Sequence, residues 1–553
     1  MPAPLLPLIL RKDDCLLLAV YNEKAASFVE LANEANTYVG DYRECEVAFN
    51  PAHPTRFAHA TTTTLTYTEV IENTNAAEDD VHRFSLRTIF SVPMPHIVVS
   101  LAFSPRGTYL VSYAMMDQKR TPDGNLSVFA SASGQLLRRG MQARWPAMVW
   151  TEEERYVVRP VQGWMHVLDG MLTASSSSSL SNEASGDEDG AEQHETAPAT
   201  PTVQAGGSGP LSKMDLMLAQ DKEIEYAMAP AEGRPMLALF KPFYKQRQAT
   251  FAVYRLPNVQ EGPLYQVNFG RAETASVSWS PSGNYVALLV KSERDPSGKS
   301  YYGTVKLHII DALNRSIVDV RLKGEGETVH DCQWGPSSDE LLVIHGKMPR
   351  NKCTLFNRSG VALVTFGEAP RNTVSWAPNG QYFVVGGSGN LAGDFQFYAR
   401  PQTVGTATAT AESSGSVASS SAACIGEFNE KCSFQLWAPD SYNFLCSTVF
   451  TRLRMDNKIV ITKLNGARVL TQKFPMLYGA HWVAMRAPSD YPARVASPRA
   501  TAEEKPKPQA YRPPGGTSRA AALLRRDPAS TQQAKAAGPV GATVAVQKKK
   551  RRH

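Results

Sequence analysis

One short unit recurs along this chain and limits what it can become. A strand-like apolar segment ends in an aromatic residue, a Pro/Gly turn follows, and a second apolar segment begins. Within residues 327–400 the unit passes twice: Trp334, Gly335-Pro336 and residues 341–343, then, 42 residues later, Trp376, Ala377-Pro378-Asn379-Gly380 and residues 382–385. Phe103-Ser104-Pro105-Arg106-Gly107-Thr108-Tyr109 and Trp279-Ser280-Pro281-Ser282-Gly283-Asn284-Tyr285 are clean copies. Phe49-Asn50-Pro51, Trp150 with Tyr156, Tyr226 with Pro230, Trp437-Ala438-Pro439 and Trp482 bring the series to nine. Proline presets φ at about −65° and glycine admits φ > 0, so S-P-x-G reads as a tight turn between two strands.

Spacing then sets the architecture. Strands returning every ~40–50 residues, several to a unit, mark propeller blades. Two intervals are long, 76 and 61 residues, and each contains a low-complexity stretch, residues 173–212 and 402–424. Without those stretches the intervals fall to 36 and 38 residues, close to the ~40 that a blade of four short strands needs. The expected fold is therefore all-β: a single large β-propeller of about nine four-stranded antiparallel blades over residues 1–486, with each aromatic in the wedge between blades. The chain of 553 residues exceeds the ~250–300 at which single cores stop growing. A repeat array escapes that limit by adding units.

Residues 6–10 and 16–21 read as a hairpin around Lys12-Asp13-Asp14. Pro4 and Pro7 interrupt the apolar start, which fits an edge strand better than a signal peptide. No apolar run approaches the ~20 residues that cross a bilayer, so no membrane association is expected. Residues 173–212 combine a five-serine run with Glu183, Asp187, Glu188, Asp189, Glu192 and Glu195 and contain no Lys or Arg. Such sequence cannot bury enough apolar surface to fold, and the Thr/Ala/Ser-rich residues 402–424 and the Pro/Ala/Arg/Lys-rich residues 487–553 read as disordered for the same reason. The net charge of +6 hides an asymmetry: residues 487–553 carry 14 Lys/Arg and 4 Asp/Glu, whereas residues 1–486 carry 44 and 48. A basic tail on a slightly acidic body implies an anionic partner.

Nothing in the sequence argues for an enzyme. The seven cysteines form no C-x-x-C and have no histidines at zinc spacing, so they read as buried thiols in a reducing, cytoplasmic setting, with no metal. Gly387-Ser388-Gly389-Asn390-Leu391-Ala392 matches G-x-G-x-x-A, but an alternating strand, residues 394–398, follows where a dinucleotide site needs a helix. No G-x-S-x-G elbow occurs, which opposes a propeller hydrolase. His308, His330 and His345 stand singly and read as structural or surface residues. No cofactor is expected.

The candidate binding residues are cations. Lys347, Arg350 and Lys352 fall in the loop after the second strand of one blade, Arg452 and Arg454 in the equivalent loop two blades later, and Arg371 in a link between blades. Successive turns of a meander leave on alternate ends, so all six are expected on one rim, suited to phosphate recognition. The tail run Lys548-Lys549-Lys550-Arg551-Arg552 is a generic electrostatic feature that fits RNA binding, nuclear import or nothing specific.

The blocks H-G-K-M-P-R-N-K-C-T-L-F-N, G-E-A-P-R-N-T, G-G-S-G-N-L-A-G-D and T-R-L-R-M-D-N-K resemble the eukaryotic translation initiation factor 2A family. Ser300-Tyr301-Tyr302-Gly303 with Leu307-His308, and Ala510-Tyr511-Arg512-Pro513-Pro514, match two further blocks of it. The resemblance is strong over residues 250–485 and weak before them. It implies a nine-bladed propeller that binds the small (40S) ribosomal subunit and delivers initiator methionyl-tRNA without GTP, in a start-codon-dependent way, during alternative or stress-associated initiation. Its implied partners are the small ribosomal subunit, initiator tRNA, mRNA and other initiation factors, with the protein a monomer off the ribosome. The family usually continues past Y-R-P-P into a long Lys/Glu-rich helix, whereas 39 residues follow Pro514 here, which puts contacts made by that helix in doubt. The alternatives are a propeller scaffold subunit of an initiation factor three-like complex, whose extra RNA-recognition domain has no room before the first blade, and a generic protein-interaction propeller outside translation.

Overall fold

The computed structural model describes residues 4–115, 124–172, 179–180, 210–216, 223–292, 303–322, 328–401, 424–492, 494 and 497. They form nine sheets closed into a propeller, antiparallel throughout except for one short added strand in blade 2. Blades 1 to 8 are residues 48–93, 98–140, 149–215, 225–268, 274–319, 329–369, 373–429 and 434–473, each with its four strands in chain order from the innermost outward. Blade 9 is composite. Its innermost strand is Gly479–Trp482, and Leu5–Arg11, Cys15–Asn22 and Ser27–Glu30 complete it.

The start of the chain is thus not an edge strand, contrary to the sequence reading. Leu5–Arg11 lies between Gly479–Trp482 and Cys15–Asn22, with Leu8 opposite Trp482 and Leu16 opposite Arg11. Pro7 is tolerated because its nitrogen falls just beyond that ladder; its carbonyl accepts from Val483 N–H at 2.9 Å.

All nine aromatic marks lie in innermost strands, eight of them at the final residue and Tyr226 within Glu225–Met228. The turns after them close as the sequence requires. Gly107, Gly283 and Gly380 donate to the carbonyls of Ser104, Ser280 and Ala377 at 2.8, 2.9 and 2.9 Å, and Gly283 has φ +65°. In blades 5 to 8 the indole N–H groups of Trp279, Trp334, Trp376 and Trp437 donate to the carbonyls of Ala227, Ser278, Gln333 and Ser375 at 3.0, 3.1, 3.3 and 3.1 Å. Each acceptor belongs to the innermost strand of the preceding blade, so each tryptophan fastens one blade to the next as well as filling the wedge.

The second strands are buried on both sides, which is why they read as continuous apolar runs. In Leu341–His345, Leu341 and Val343 pack with Leu307, Ile309 and Phe356, while Leu342 and Ile344 pack with Trp376, Phe383 and Val385 of the following blade. A period of two thus sends successive residues into successive inter-blade cores.

Two faces result. On the turn face emerge the first-to-second-strand turns and the third-to-fourth-strand connections. On the link face emerge the second-to-third-strand loops and the links between blades. The low-complexity stretches of blades 3 and 7 are both third-to-fourth-strand connections and so leave on the turn face. Most of each lies outside the described residues. Where they are described they differ from the expectation: Ser179–Leu180 pairs in parallel with Arg139 and Gly140, and Ser212 and Cys424 begin fourth strands.

The expected end of the propeller at residue 486 is also too early. Pro488–Asp490 forms a 3-10 turn. Arg494 then pairs with the buried carboxylate of Glu23 at 2.5 Å and approaches Asp440 at 3.9 Å, and its carbonyl accepts from the Tyr382 hydroxyl at 3.1 Å. The remainder of the tail, with Ala510–Pro514 and Lys548, Lys549, Lys550, Arg551 and Arg552, lies outside the described residues.

Candidate functional site: cationic loops on the link face

The loop between Leu341–His345 and Asn351–Phe356 is a tight turn, with Arg350 N–H on the Lys347 carbonyl at 2.9 Å and Gly346 N–H on Thr328 at 3.0 Å. Lys347, Met348 and Arg350 are exposed. Two blades on, the loop between Asn443–Thr448 and Lys458–Lys463 turns where Arg452 and Leu453 N–H both meet the Val449 carbonyl, at 3.1 and 3.0 Å. Arg452, Leu453, Arg454 and Met455 are exposed. The side chains of Lys347, Arg350, Arg452 and Arg454 make no ion pair and no hydrogen bond with the described residues, so their charges face solvent.

Both loops are held by a buried asparagine at the head of the third strand. Asn351 Nδ2 donates to the Arg371 carbonyl at 2.8 Å. Asn457 Nδ2 donates to Leu453 O at 2.8 Å, and its Oδ1 accepts from Leu477 N–H at 3.2 Å. Asn125 does the same in blade 2, donating to Ala114 O and Gln142 O at 2.8 and 2.9 Å and accepting from Gln142 N–H at 2.7 Å. Each asparagine ties its loop or the preceding strand end to the following inter-blade link. The sequence reading missed this role, although N-L-S-V-F, N-K-C-T-L-F and N-K-I-V-I-T carry the signal.

The six expected cations do not act alike. Arg371 lies on the link face but is 3 % exposed. Its guanidinium donates to the Phe366 carbonyl, to Gln396 Oε1 and, at 3.3 Å, to the Tyr398 hydroxyl. It is an internal fastener, because an inter-blade link brings three carbonyl or hydroxyl acceptors into a dry site that a guanidinium fork can satisfy. Arg11 and Arg159 do similar work. Arg11 donates to Tyr42 O, Cys45 O and Tyr478 O at 3.2, 2.6 and 3.0 Å, and Arg159 to Gln142 Oε1 and Met141 O at 2.9 and 2.5 Å. Burial lowers the pKa of Arg159 to about 10. Lys352 is half-buried and lies 3.7 Å from Glu368.

The glycine loop between Tyr382–Gly386 and Asp394–Ala399 joins two strands, as expected, and is tied to the preceding link at Asn372. Ser388 N–H donates to Asn372 Oδ1 at 2.9 Å, and Asn372 Nδ2 returns to Ser388 O at 3.1 Å. At Gly393, φ is +86° and a Cβ would come within 2.3 Å of the Glu430 carbonyl, so only glycine fits. His345 is a core residue bonded to Thr354 Oγ1 at 2.9 Å. All seven cysteines are free, and burial pushes the thiols of Cys332 and Cys353 up to about 12, which makes them poor nucleophiles at neutral pH. Among the described residues no cluster of His, Cys, Asp or Glu could hold a metal ion, and no helix is long and apolar enough to cross a membrane.

Sequence reasoning also passed over blade 4. Its second-to-third-strand loop exposes Lys245 and Arg247, and the next link exposes Arg271. Lys245 lies 5.2 Å from the Tyr244 ring centre and Arg271 lies 5.6 Å from that of Phe243. Cations therefore recur on the link face at blades 4, 6 and 8. Acids gather at blade 9, where the link of residues 31–47 carries Glu34, Asp41, Glu44 and Glu46.

The sequence pattern of eukaryotic translation initiation factor eIF2A matches residues 267–480, from the outer strand of blade 4 to the closing strand of blade 9, with both cationic loops inside. Over that region the chain is similar to the eIF2A family. It is 27% identical over 75% of its length to eukaryotic translation initiation factor 2A of Dictyostelium discoideum, and 27% identical over 75% to that of Schizosaccharomyces pombe. It spans 59% and 65% of those two relatives' own lengths. A solved structure described as a eukaryotic initiation factor has the same fold, with a TM-score of 0.63 at 20% identity over 87% of this chain and 98% of that one.

Proposed function

We propose that this chain is a translation initiation factor that binds the small ribosomal subunit in the cytoplasm and promotes GTP-independent, start-codon-dependent delivery of initiator methionyl-tRNA. The link face is its RNA-facing surface. Similarity to relatives named initiation factors supports the role. The observation that carries the surface is geometric: Lys347, Arg350, Arg452 and Arg454 project unpaired from two rigidly held loops of one face. Rigid loops present cations at fixed spacing, which suits a folded RNA backbone. Exposed Met348, Leu453 and Met455 between them supply apolar contact beside the charges. Lys352 supports the same surface from the strand edge, and the consecutive cations Lys548, Lys549, Lys550, Arg551 and Arg552 are a separate candidate RNA contact.

The test is charge reversal of Lys347, Arg350, Arg452 and Arg454 to Glu, read by anisotropy with labelled initiator tRNA and by cosedimentation with 40S subunits. Each phosphate contact contributes ~0.7–0.9 to the slope of log K against log salt, so losing four flattens that slope by about 3. Binding at low salt falls more than tenfold while the melting temperature holds. Unchanged low-salt affinity in the folded variant refutes the surface assignment. Absence of the wild type from crosslinked 40S fractions refutes the role.

A further inference from the structure

A second charged feature lies on the turn face, away from the proposed RNA surface. Turns of blades 3, 4 and 5 surround a hollow of about 490 Å³ whose lining includes four arginines, Arg155, Arg234, Arg255 and Arg315, and two carboxylates, Glu152 and Glu153, with Leu256 and Leu313 beside them. Arg234 is committed to the fold, donating to Asn284 Oδ1 at 2.5 Å and Ser282 O at 3.1 Å. Glu153 is likewise engaged, accepting from Gly233 N–H. Arg155, Arg255 and Arg315 are exposed and form no ion pair or hydrogen bond through their side chains with the described residues. Arg155 lies over the Tyr156 ring at 5.3 Å, which leaves its N–H edge open. Three guanidinium groups without an acceptor, beside an exposed leucine, make a site for carboxylate-bearing peptide, since the fork geometry of arginine matches carboxylates two oxygens at a time.

We propose that this hollow is a docking site for an acidic peptide segment, and that its occupant is the chain's own stretch of residues 183–195. Topology and charge support that occupant. The stretch leaves its blade at Gly170, whose N–H donates to the carbonyl of hollow-lining Arg155 at 2.9 Å. It returns at Ser212, whose hydroxyl donates to Pro257 O, next to hollow-lining Leu256. Both anchors therefore border the hollow. Between them lie six carboxylates and no Lys or Arg. From Gly170 to Glu183 the extended chain reaches up to ~40 Å at ~3.3 Å per residue, ample for a site beside its root. Tethering at both ends raises the effective concentration to about millimolar, so even weak pairing fills the site. Docking there leaves the link face free.

The test uses the full chain and a version in which residues 181–209 are replaced by a short Gly/Ser linker, with thermal melting as the folding check. A fluorescein-labelled peptide of residues 180–198 is titrated into each by anisotropy at 50 mM salt. The shortened chain should bind the peptide, and the intact chain at least tenfold more weakly because its own stretch competes. R155E/R255E/R315E in the shortened chain should abolish binding, and R155Q/R255Q/R315Q, which removes charge with less disturbance, should lower it about tenfold. A peptide with its acids changed to amides should not bind. Absence of binding to the folded shortened chain overturns the docking site. Equal binding to intact and shortened chains shows that some other acidic peptide is the ligand and overturns the assigned occupant.

Discussion

The tryptophans offer a controlled measurement of what one inter-blade hydrogen bond contributes. Trp376 and Trp482 hold equivalent places and are 6% and 8% exposed. Trp376 donates to Gln333 O at 3.3 Å, whereas the indole nitrogen of Trp482 has no partner among the described residues. Changing each to Phe trims the ring by a similar amount, so the packing losses nearly cancel in the comparison. At residue 376 the substitution also breaks a bond that contributes about 0.5–1.5 kcal/mol net and leaves a partly buried carbonyl short of a partner, for about 1–3 kcal/mol in all. At residue 482 it removes a donor that has no bond to lose. Trp376→Phe should therefore cost about 1–3 kcal/mol more than Trp482→Phe. At ~2.1 cal/mol/K of unfolding entropy per residue, a body of roughly 480 residues loses about 1 °C per kcal/mol. Scanning calorimetry of the two variants in parallel should thus show a gap of about 1–3 °C, with Trp376→Ala falling further. Equal shifts, or a larger fall for Trp482→Phe, would refute the idea that these indoles fasten blade to blade.

Arg371→Met strands three acceptors in a dry site and should cost about 3–5 kcal/mol, seen as a melting shift of several degrees, whereas the four-loop charge reversal leaves melting unchanged. Acid should destabilise the fold before most carboxylates titrate. Burial lowers the pKa of His59 to about 3 and of His481 to about 4, while in the unfolded chain each protonates at about 6.5. Unfolding then takes up protons, so stability falls as pH drops from about 6.5, by about 2 kcal/mol per histidine at pH 5; His59→Gln should flatten that dependence in melts from pH 7.5 to 5. Arg494→Ala leaves Glu23 and Asp440 without their shared cation and should release the segment after residue 486, detectable as faster amide exchange at Tyr491.

The blade count was legible because S-P-x-G turns and the wedge aromatics are local signals: a turn needs its glycine, and a wedge needs a large ring, whatever lies elsewhere. The composite ninth blade was not, since nothing near Leu8 states that its partner is Trp482. The rim cations were found by topology alone, which places a residue on a face but does not say whether its side chain turns outward. Arg371 and Lys347 look alike in sequence; only the convergence of Phe366, Gln396 and Tyr398, residues from two blades, draws one of them inside. The arginines of the turn-face hollow come from three blades, so no stretch of sequence displays them together.

The pairing of Gly479–Trp482 with Leu5–Arg11 also has a consequence for biogenesis. During synthesis Leu5–Arg11 meets its inner neighbour only once Gly479–Trp482 has emerged. Until then Leu5–Arg11 offers an uncovered row of amides and an apolar sequence to its surroundings, and blade 8 has no neighbour on its far side. A nascent chain halted anywhere before residue 479 is an open arc with two sticky ends. Such chains should be conspicuous chaperone clients, and a premature stop late in the gene should be as damaging as one in its middle.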